Sequence, residues 1–267
     1  MGAVRLIYFV GAGCGAPDLI TVRGWRLLEK ADVVIYAGSL VNPALLEVCK
    51  PQCQIYNSAG MTLDEVLQVM IEAADKPVVR LHTGDPSLYG AIQEQMDALD
   101  KMELSYEVCP GVSSMSGAAA ALKREYTLPG ISQSVIVCRM EGRTAVPERE
   151  QLASLATHQA TMVIFLSAGL TQQVQESLLA GGYAADTPAA IVYKASWPDE
   201  AIYRCTVATL AATANTHSIS KTALLLVGAF LDSQYELSRL YAADFATEYR
   251  PIKKDCQQNG GDAYDEI

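Results

Sequence analysis

Three times in its first half the chain repeats one pattern. A strand-length run of β-branched and aromatic residues ends in a turn of glycine and small polar residues, and helical spacing follows. Val4 to Val10 leads into Gly11-Ala12-Gly13-Cys14-Gly15-Ala16-Pro17-Asp18; Ala31 to Tyr36 leads into Ala37-Gly38-Ser39-Leu40-Val41-Asn42. Pro77-Val78-Val79 leads into Arg80-Leu81-His82-Thr83-Gly84-Asp85-Pro86-Ser87-Leu88-Tyr89-Gly90. Such alternation admits few folds, all built on a parallel or mostly parallel sheet covered on both faces. The loops after the strands then share one edge, and ligands bind in the crevice outside the carboxyl ends. In the third turn Gly84 lets a ligand approach the backbone, Asp85 offers an acceptor, and the next helix begins with unpaired N–H groups. The plainer reading of these residues is a capped strand-to-helix turn.

Thr21 caps a helix with Val22, Trp25, Leu28 and Ala31 on one face, and Thr62-Leu63-Asp64-Glu65 is a capping box for a helix running to about Ala74. A short helix from Pro43 to Val48 and strands near Gln54 and Tyr106 complete the first half. Pro110-Gly111-Val112 punctuates the chain, and Ser113 to Leu122 reads as a helix of small side chains suited to close packing. The expected division is therefore a domain over 1–112, a second over 113–246 and a polar, mobile tail over 247–267. In the second half, strands at 134–138, 161–166, 189–193, 202–206 and 222–227 alternate with helices at 148–157 and 171–180. The hairpin character of 202–206 makes this sheet mixed. The fold class is thus α/β, two α/β domains with a ligand cleft between them.

Composition narrows the partners. The longest apolar runs, such as Thr222 to Gly228, fall far short of the ~20 residues of a membrane helix. No charged, apolar and cleavable succession opens the chain, so a cytoplasmic protein is expected. Seven cysteines without a framework read as reduced thiols. Cys49 and Cys53 flank Pro51 with no second ligand pair, so no protein-bound metal is expected. A net charge of −10 disfavours general nucleic-acid binding, which rests on basic surfaces. Any polyanionic small ligand would need a local cluster of cations. The glycine spacing after the first strand is not G-x-G-x-x-G, no Gly-Lys-Ser/Thr follows it, and Gly38-Ser39 lacks a nucleophile elbow.

Four blocks, Gly11-Ala12-Gly13-x-Gly15-x-Pro17-Asp18-Leu19, Tyr36 to Val41, Gly84 to Gly90 and Pro110 to Ser114, resemble the tetrapyrrole (corrin/porphyrin) methyltransferase family, from about Val4 to Tyr241. With Asn57 to Met61 and Glu141 to Thr144 they are most similar to its branch acting on C11 of precorrin-4 or cobalt-precorrin-4 in cobalamin biosynthesis. The resemblance implies two α/β domains, a homodimer, and S-adenosylmethionine held in the cleft between the domains. It assigns the methyl donor to Cys14, Thr83, Gly84, Asp85, Leu88, Ser113, Ser114, Leu166, Ala195 and Ala223. One departure stands out. The family usually has Gly-Pro-Gly-Asp-Pro where this chain has Gly13-Cys14-Gly15-Ala16-Pro17, which removes a rigid wall and a polar group.

A sulfonium methyl is already activated, so the enzyme need only align donor and acceptor and exclude water. That fits a chain with three histidines and no catalytic triad. Asp85 is the candidate for electrostatic or general-base duty. The implied substrate carries several carboxylates, for which Arg80, His82, Arg139 and Arg143 are the candidate partners, each otherwise a surface ion pair. Tyr36 and Tyr89 would wall the substrate trough or pack in the core. Other readings are methylation of uroporphyrinogen, another precorrin or diphthine, ribosomal-RNA ribose methylation (which the acidic balance opposes), a non-catalytic tetrapyrrole carrier, and a nicotinamide oxidoreductase weakened by the missing fingerprint.

Overall fold

The computed structural model describes residues 6–232 and 234–252. Its first half is one five-stranded sheet. The strands are β1 (Ile7–Gly11), β2 (Val33–Tyr36), β3 (Gln54–Asn57), β4 (Val78–His82) and β5 (Tyr106–Cys109), in the order β3-β2-β4-β1-β5. Every pairing is parallel, with Ile7 opposite Val78 and Gly11 opposite His82 in the central pair. β1, β2 and β4 are almost wholly buried, as continuous apolar runs in a doubly covered sheet must be.

Helices cover both faces. α1 (Val22–Lys30) begins at the Thr21 cap and sets Leu28 against Val10, Val34, Val79 and Leu81. The buried stripe differs from the expected one. Gly24, Leu28 and Ala31 face the sheet, whereas Val22 and Trp25 are exposed, Trp25 Nε1 donating to Glu29 at 3.0 Å. The glycine brings α1 close, a Cβ at Gly24 lying 3.0 Å from Val10. α2 (Leu63–Glu72), opened by the Thr62/Glu65 capping box, and α3 (Gln93–Lys101) cover the other face through Val66, Leu67, Met70 and Leu99. The stretch Pro43–Val48 is a 3₁₀ turn rather than an α-helix.

α4 (Ser114–Leu122) leaves the first sheet and packs on the second, placing Ala118 and Leu122 against Val163, Phe165, Ala190 and Leu226. That sheet comprises β6 (Val135–Arg139), β7 (Thr161–Phe165), β8 (Pro188–Tyr193), β9 (Ala201–Thr206) and β10 (Ala223–Val227), ordered β6-β7-β10-β8-β9. β6 and β7 are parallel, while β10 runs antiparallel to β7 and β8, and β8 and β9 pair antiparallel. The fold is therefore α/β with an all-parallel sheet followed by a mixed one. The opposite face is covered by α5 (Leu152–Ala156), α6 (Thr171–Ala180) and α7 (Leu210–Thr216). The helix expected from Glu148 is a 3₁₀ turn over Glu148–Glu150 before the five residues of α5. Of the expected tail, Thr247 to Ile252 is tied back, since Arg250 donates to the carbonyls of Leu240, Ala242 and Phe245. Residues 253–267 lie outside the described ones.

Three glycines decide how the strand ends meet. A Cβ on Gly11 would lie 2.5 Å from the Gly111 Cα and 2.6 Å from the Gly84 carbonyl oxygen, and one on Gly111 would overlap that same oxygen. Gly84 also bridges Gly13, donating to its carbonyl at 2.8 Å. The turns after β1 and β4 and the exit of β5 thus form one layer of backbone too close for side chains. Gly111→Ala forces that layer apart. Overpacking of this kind costs about 1–3 kcal/mol, which for a chain of this size lowers the melting midpoint by roughly 2–10 °C. Gly60→Ala, whose Cβ would meet nothing within 4 Å, leaves the melt unchanged. Equal melting curves for the two variants would contradict this account.

Candidate functional site

The strand-end turns open into a cavity of about 390 Å³ between the two sheets. Cys14, Ser39, Leu40, Thr83, Gly84, Asp85, Leu88 and Tyr89 line it from the first sheet, and Ser113 and Ser114 from the start of α4. Phe165, Leu166, Val192, Lys194, Ala195, Trp197 and the run Ser220 to Leu224 line it from the second. All ten residues that the family resemblance assigned to the donor border this one cavity. The apolar side chains form the walls, while Thr83, Ser113, Ser114, Ser220 and Thr222 supply hydroxyls, a lining typical of small-molecule sites.

Asp85 is a clasp within the cleft wall. Its Oδ2 accepts from the Gly111 N–H at 2.8 Å, and its Oδ1 accepts from the Ser87 N–H at 2.9 Å and from the Ser87 hydroxyl. Partial burial works to raise its pKa. The hydrogen bonds from the Ser87 hydroxyl and the Gly111 and Ser87 N–H groups together outweigh that and hold the carboxyl below its ordinary value. The carboxylate is therefore a fixed anion with occupied lone pairs, a poor general base. Its stabilising effect is present above the ordinary carboxyl pKa and is lost as pH falls through the lowered one.

The altered turn is docked across the cleft. The Cys14 thiol lies 3.3 Å from the Ser196 hydroxyl, which accepts from the Ala16 N–H at 3.0 Å. A Cβ on Gly15 would strike the Trp197 ring, and one on Gly117 of α4 would lie 2.9 Å from the Cys14 sulfur. Asn42 completes the mooring, its Nδ2 donating to the Gly15 carbonyl at 3.0 Å. A proline at position 14 would have no thiol for this contact, so the departure is accommodated by a polar link to the second sheet.

The rim is backbone-strained. Of ten non-glycine residues with positive φ among the described residues, Tyr89, Leu166, Lys194 and Thr222 line the cavity, and Ser196 adjoins it. Each such residue costs of order 1–3 kcal/mol, and such strain clusters at ligand sites. Leu166 stays 67 % exposed in the cleft, with Ser167 behind it fully buried and accepting from the Met140 N–H at 2.8 Å.

The expected carboxylate partners are placed otherwise. Arg80 and His82 alternate onto the face of β4 beneath α2 and α3, both are buried, and neither borders the cavity. Period-two alternation turns these side chains away from the strand end. The Arg80 guanidinium donates to Gln95 Oε1 at 3.2 Å and the Ile35 carbonyl at 3.1 Å, and burial lowers its pKa to about 10. His82 stacks on Phe9, with its Nε2 buried and unpartnered. Arg139 donates to the carbonyls of Met140, Thr144 and Ala145, closing its own loop, and Arg143 is exposed in that loop away from the cavity. Tyr36 packs against the core beside α1, whereas Tyr89 lines the cavity against Phe165, 5.5 Å between ring centroids.

Lys194, Trp197, Ser220 and Lys221 were not expected. Lys194 pairs with Asp199 at 2.5 Å and lies over the Trp197 ring; its hydrogen bond to Asp199 raises its pKa. The sequence signal for Lys194 to Trp197 is the carboxyl end of β8. Ser220 and Lys221 precede β10, and because β10 is antiparallel its amino end faces the cleft, which the strand-end rule misses. No cluster of three or more His, Cys, Asp or Glu is placed to hold a metal ion among the described residues, and none of their helices is long and apolar enough to cross a membrane.

The buried imidazole makes the fold acid-sensitive. Burial, helped by the nearby Arg80 charge, lowers the His82 pKa to about 3. An unfolded imidazole takes up its proton near pH 6.5 while the native one does not, so stability falls as pH drops from about 6.5 towards 3. Thermal melts across that range fall less steeply for His82→Phe, which keeps a ring against Phe9, than for the wild type. Parallel curves would refute the assignment.

A family model described as tetrapyrrole (corrin/porphyrin) methylases matches residues 6–211. The cobalt-precorrin-4 C(11)-methyltransferase of Methanocaldococcus jannaschii is 51 % identical over 253 residues, covering 94 % of this chain and 98 % of that protein. The solved structure of a cobalt-precorrin-4 methyltransferase, a cobalamin biosynthetic enzyme, superposes with a TM-score of 0.85 at 47 % identity, over 87 % of this chain and 98 % of that one. A uroporphyrin-III C-methyltransferase from Thermus thermophilus, solved with S-adenosyl homocysteine, gives 0.71 at 25 % identity, over 85 % and 93 % of the two chains. With that match and those identities, the chain belongs to the tetrapyrrole (corrin/porphyrin) methylase family.

Proposed function

We propose that this protein transfers the methyl group of S-adenosylmethionine to C11 of precorrin-4, in its cobalt-loaded form, within cobalamin biosynthesis. The observation that carries this reading is the 51 % identity, over nearly the whole of both chains, to a cobalt-precorrin-4 C(11)-methyltransferase. The cleft fits the donor in chemistry as well as size. Leu40, Leu88, Leu166 and Leu224 offer apolar walls to a nucleoside, and Ser113, Ser114 and Thr83 offer hydroxyls to its polar edges. The donor supplies a methyl carbon on an already cationic sulfur. As that carbon moves, an electron pair of C11 forms the new bond and the sulfur keeps the pair of the old one. The chain need not provide a nucleophile or a bound metal. Its residues hold the two reactants aligned and dry, an effect worth up to about 7–11 kcal/mol in ideal cases. Asp85, a fixed anion at the cleft wall, favours the sulfonium charge while it holds Gly111 in place.

Six unpaired thiols among the described residues support a reducing, cytoplasmic setting. A second copy of the chain is the partner we assign to the segment after Asp232. There Leu237, Tyr241 and Tyr249 are 82 %, 81 % and 90 % exposed, an apolar array of the kind that marks association surfaces.

Two measurements test these statements. Calorimetric titration with S-adenosylhomocysteine gives one site per chain, and Asp85→Ala weakens it at least tenfold while the far-ultraviolet spectrum is retained. Methyl transfer to cobalt-precorrin-4 follows in the wild type. No donor binding by folded wild type would move the non-catalytic carrier reading to the front. In sedimentation, the wild type runs as a dimer and Leu237→Asp/Tyr241→Asp as a monomer; a monomeric wild type contradicts the dimer.

A further inference from the structure

With Arg80 and His82 buried, Arg139 closing its own loop and Arg143 exposed away from the cavity, none of the expected carboxylate partners borders the main cleft. A second cavity, of about 250 Å³, adjoins that cleft. It shares Ser220 and Lys221 with the main cleft and extends across the outer end of the β8–β9 hairpin, walled by Tyr193, Tyr203, His217 and Ser218.

Its groups suit an anion. The His217 ring, at the carboxyl cap of α7, is stacked on Tyr203 with centroids 3.8 Å apart and 20° between planes, which fixes the imidazole against the hairpin. Lys221 is a cation on the wall common to both cavities, and Ser218 and Ser220 add hydroxyl donors. The one carboxylate in the lining, Asp199, is engaged by Lys194 at 2.5 Å, so it does not stand as an uncompensated negative charge. Ser218 and Thr222 hold left-handed backbone at φ 55° and 56° on either side of Ser220 and Lys221, so the segment has a fixed, strained course between the two cavities.

We propose that this second cavity receives a carboxylate side arm of the acceptor tetrapyrrole, with His217 and Lys221 as specificity-determining residues. The inference rests on the function proposed above and adds to it the point where the macrocycle is anchored. An arm seated there lies beside the donor cleft, against the Ser220–Lys221 wall common to both cavities. It fixes which edge of the ring faces the methyl group, since a charge-assisted hydrogen bond to a carboxylate is directional as well as strong.

The test is steady-state kinetics of His217→Phe and Lys221→Met with cobalt-precorrin-4, beside calorimetry with S-adenosylhomocysteine. His217→Phe keeps a ring to stack on Tyr203 and removes the ring nitrogens. The expected result is a KM for the tetrapyrrole raised about tenfold or more in each variant, with kcat within twofold and S-adenosylhomocysteine affinity unchanged in His217→Phe. An unchanged KM in both variants, with normal wild-type turnover, overturns the inference and leaves the proposed function standing. A Lys221→Met effect on donor affinity alone, with His217→Phe silent, also overturns it and assigns Lys221 to the donor. Absence of any wild-type turnover on this substrate, with donor binding intact, would instead count against C11 methylation of precorrin-4 and, with it, against this anchor.

Discussion

Everything at the active edge depends on backbone meeting backbone without side chains between. Gly11, Gly84 and Gly111 come from three separate strand ends and lie closer than a Cβ permits. Contacts that tight bring carbonyl and N–H groups of different strands together, and they would be unpaired in a looser layer. Asp85 resolves part of this by taking the Gly111 N–H, and the Gly13–Gly84 bridge resolves more. The cleft floor is thus rigid main chain, and the residues above it inherit their positions from it. A side chain at Gly11 or Gly111 would strike the backbone of the neighbouring turns directly.

The second sheet contributes differently. Its part of the cleft comes from two strand carboxyl ends and one amino end, because β10 runs against its neighbours. The amino-end segment carries Ser220, Lys221 and Thr222, while the carboxyl ends carry Phe165, Leu166 and Ala195 together with Lys194. Apolar and cationic chemistry thus stand side by side at this one edge, with Lys194 and Lys221 contributed from opposite strand ends. In a chain of net charge −10, that local placement matters more than the total.

How far the sequence could be read follows from these same rules. Strand and helix order, the Thr62 capping box and the strand-end turns were legible because each depends on local periodicity and capping chemistry. The grouping of Cys14, Gly84, Ser113 and Leu166 around one cavity came through family blocks and the strand-end rule together. What was not legible is direction. Arg80 and His82 sit one strand residue either side of Leu81 and share the face opposite to it, so proximity to a functional turn says nothing about access to it. In α1 the exposed Val22 and Trp25 misled for a related reason: Gly24, with no side chain to register as apolar, makes the closest approach. Lys221 was missed because the strand-end rule assumes parallel strands.

The mooring of the first turn to the second sheet bears on how ligands come and go. Cys14 and Ala16 meet Ser196, Gly15 abuts Trp197, and Gly117 closes on Cys14, along the wall where the two halves of the chain touch. A hinge that swung the two sheets apart would have to break this set together and expose a buried thiol and an indole edge. Leu166 and Tyr89, by contrast, line the cleft exposed and on left-handed backbone. The cleft thus pairs a tied wall with an exposed lip, and ligand exchange past that lip leaves the links of Cys14, Ala16 and Gly15 intact.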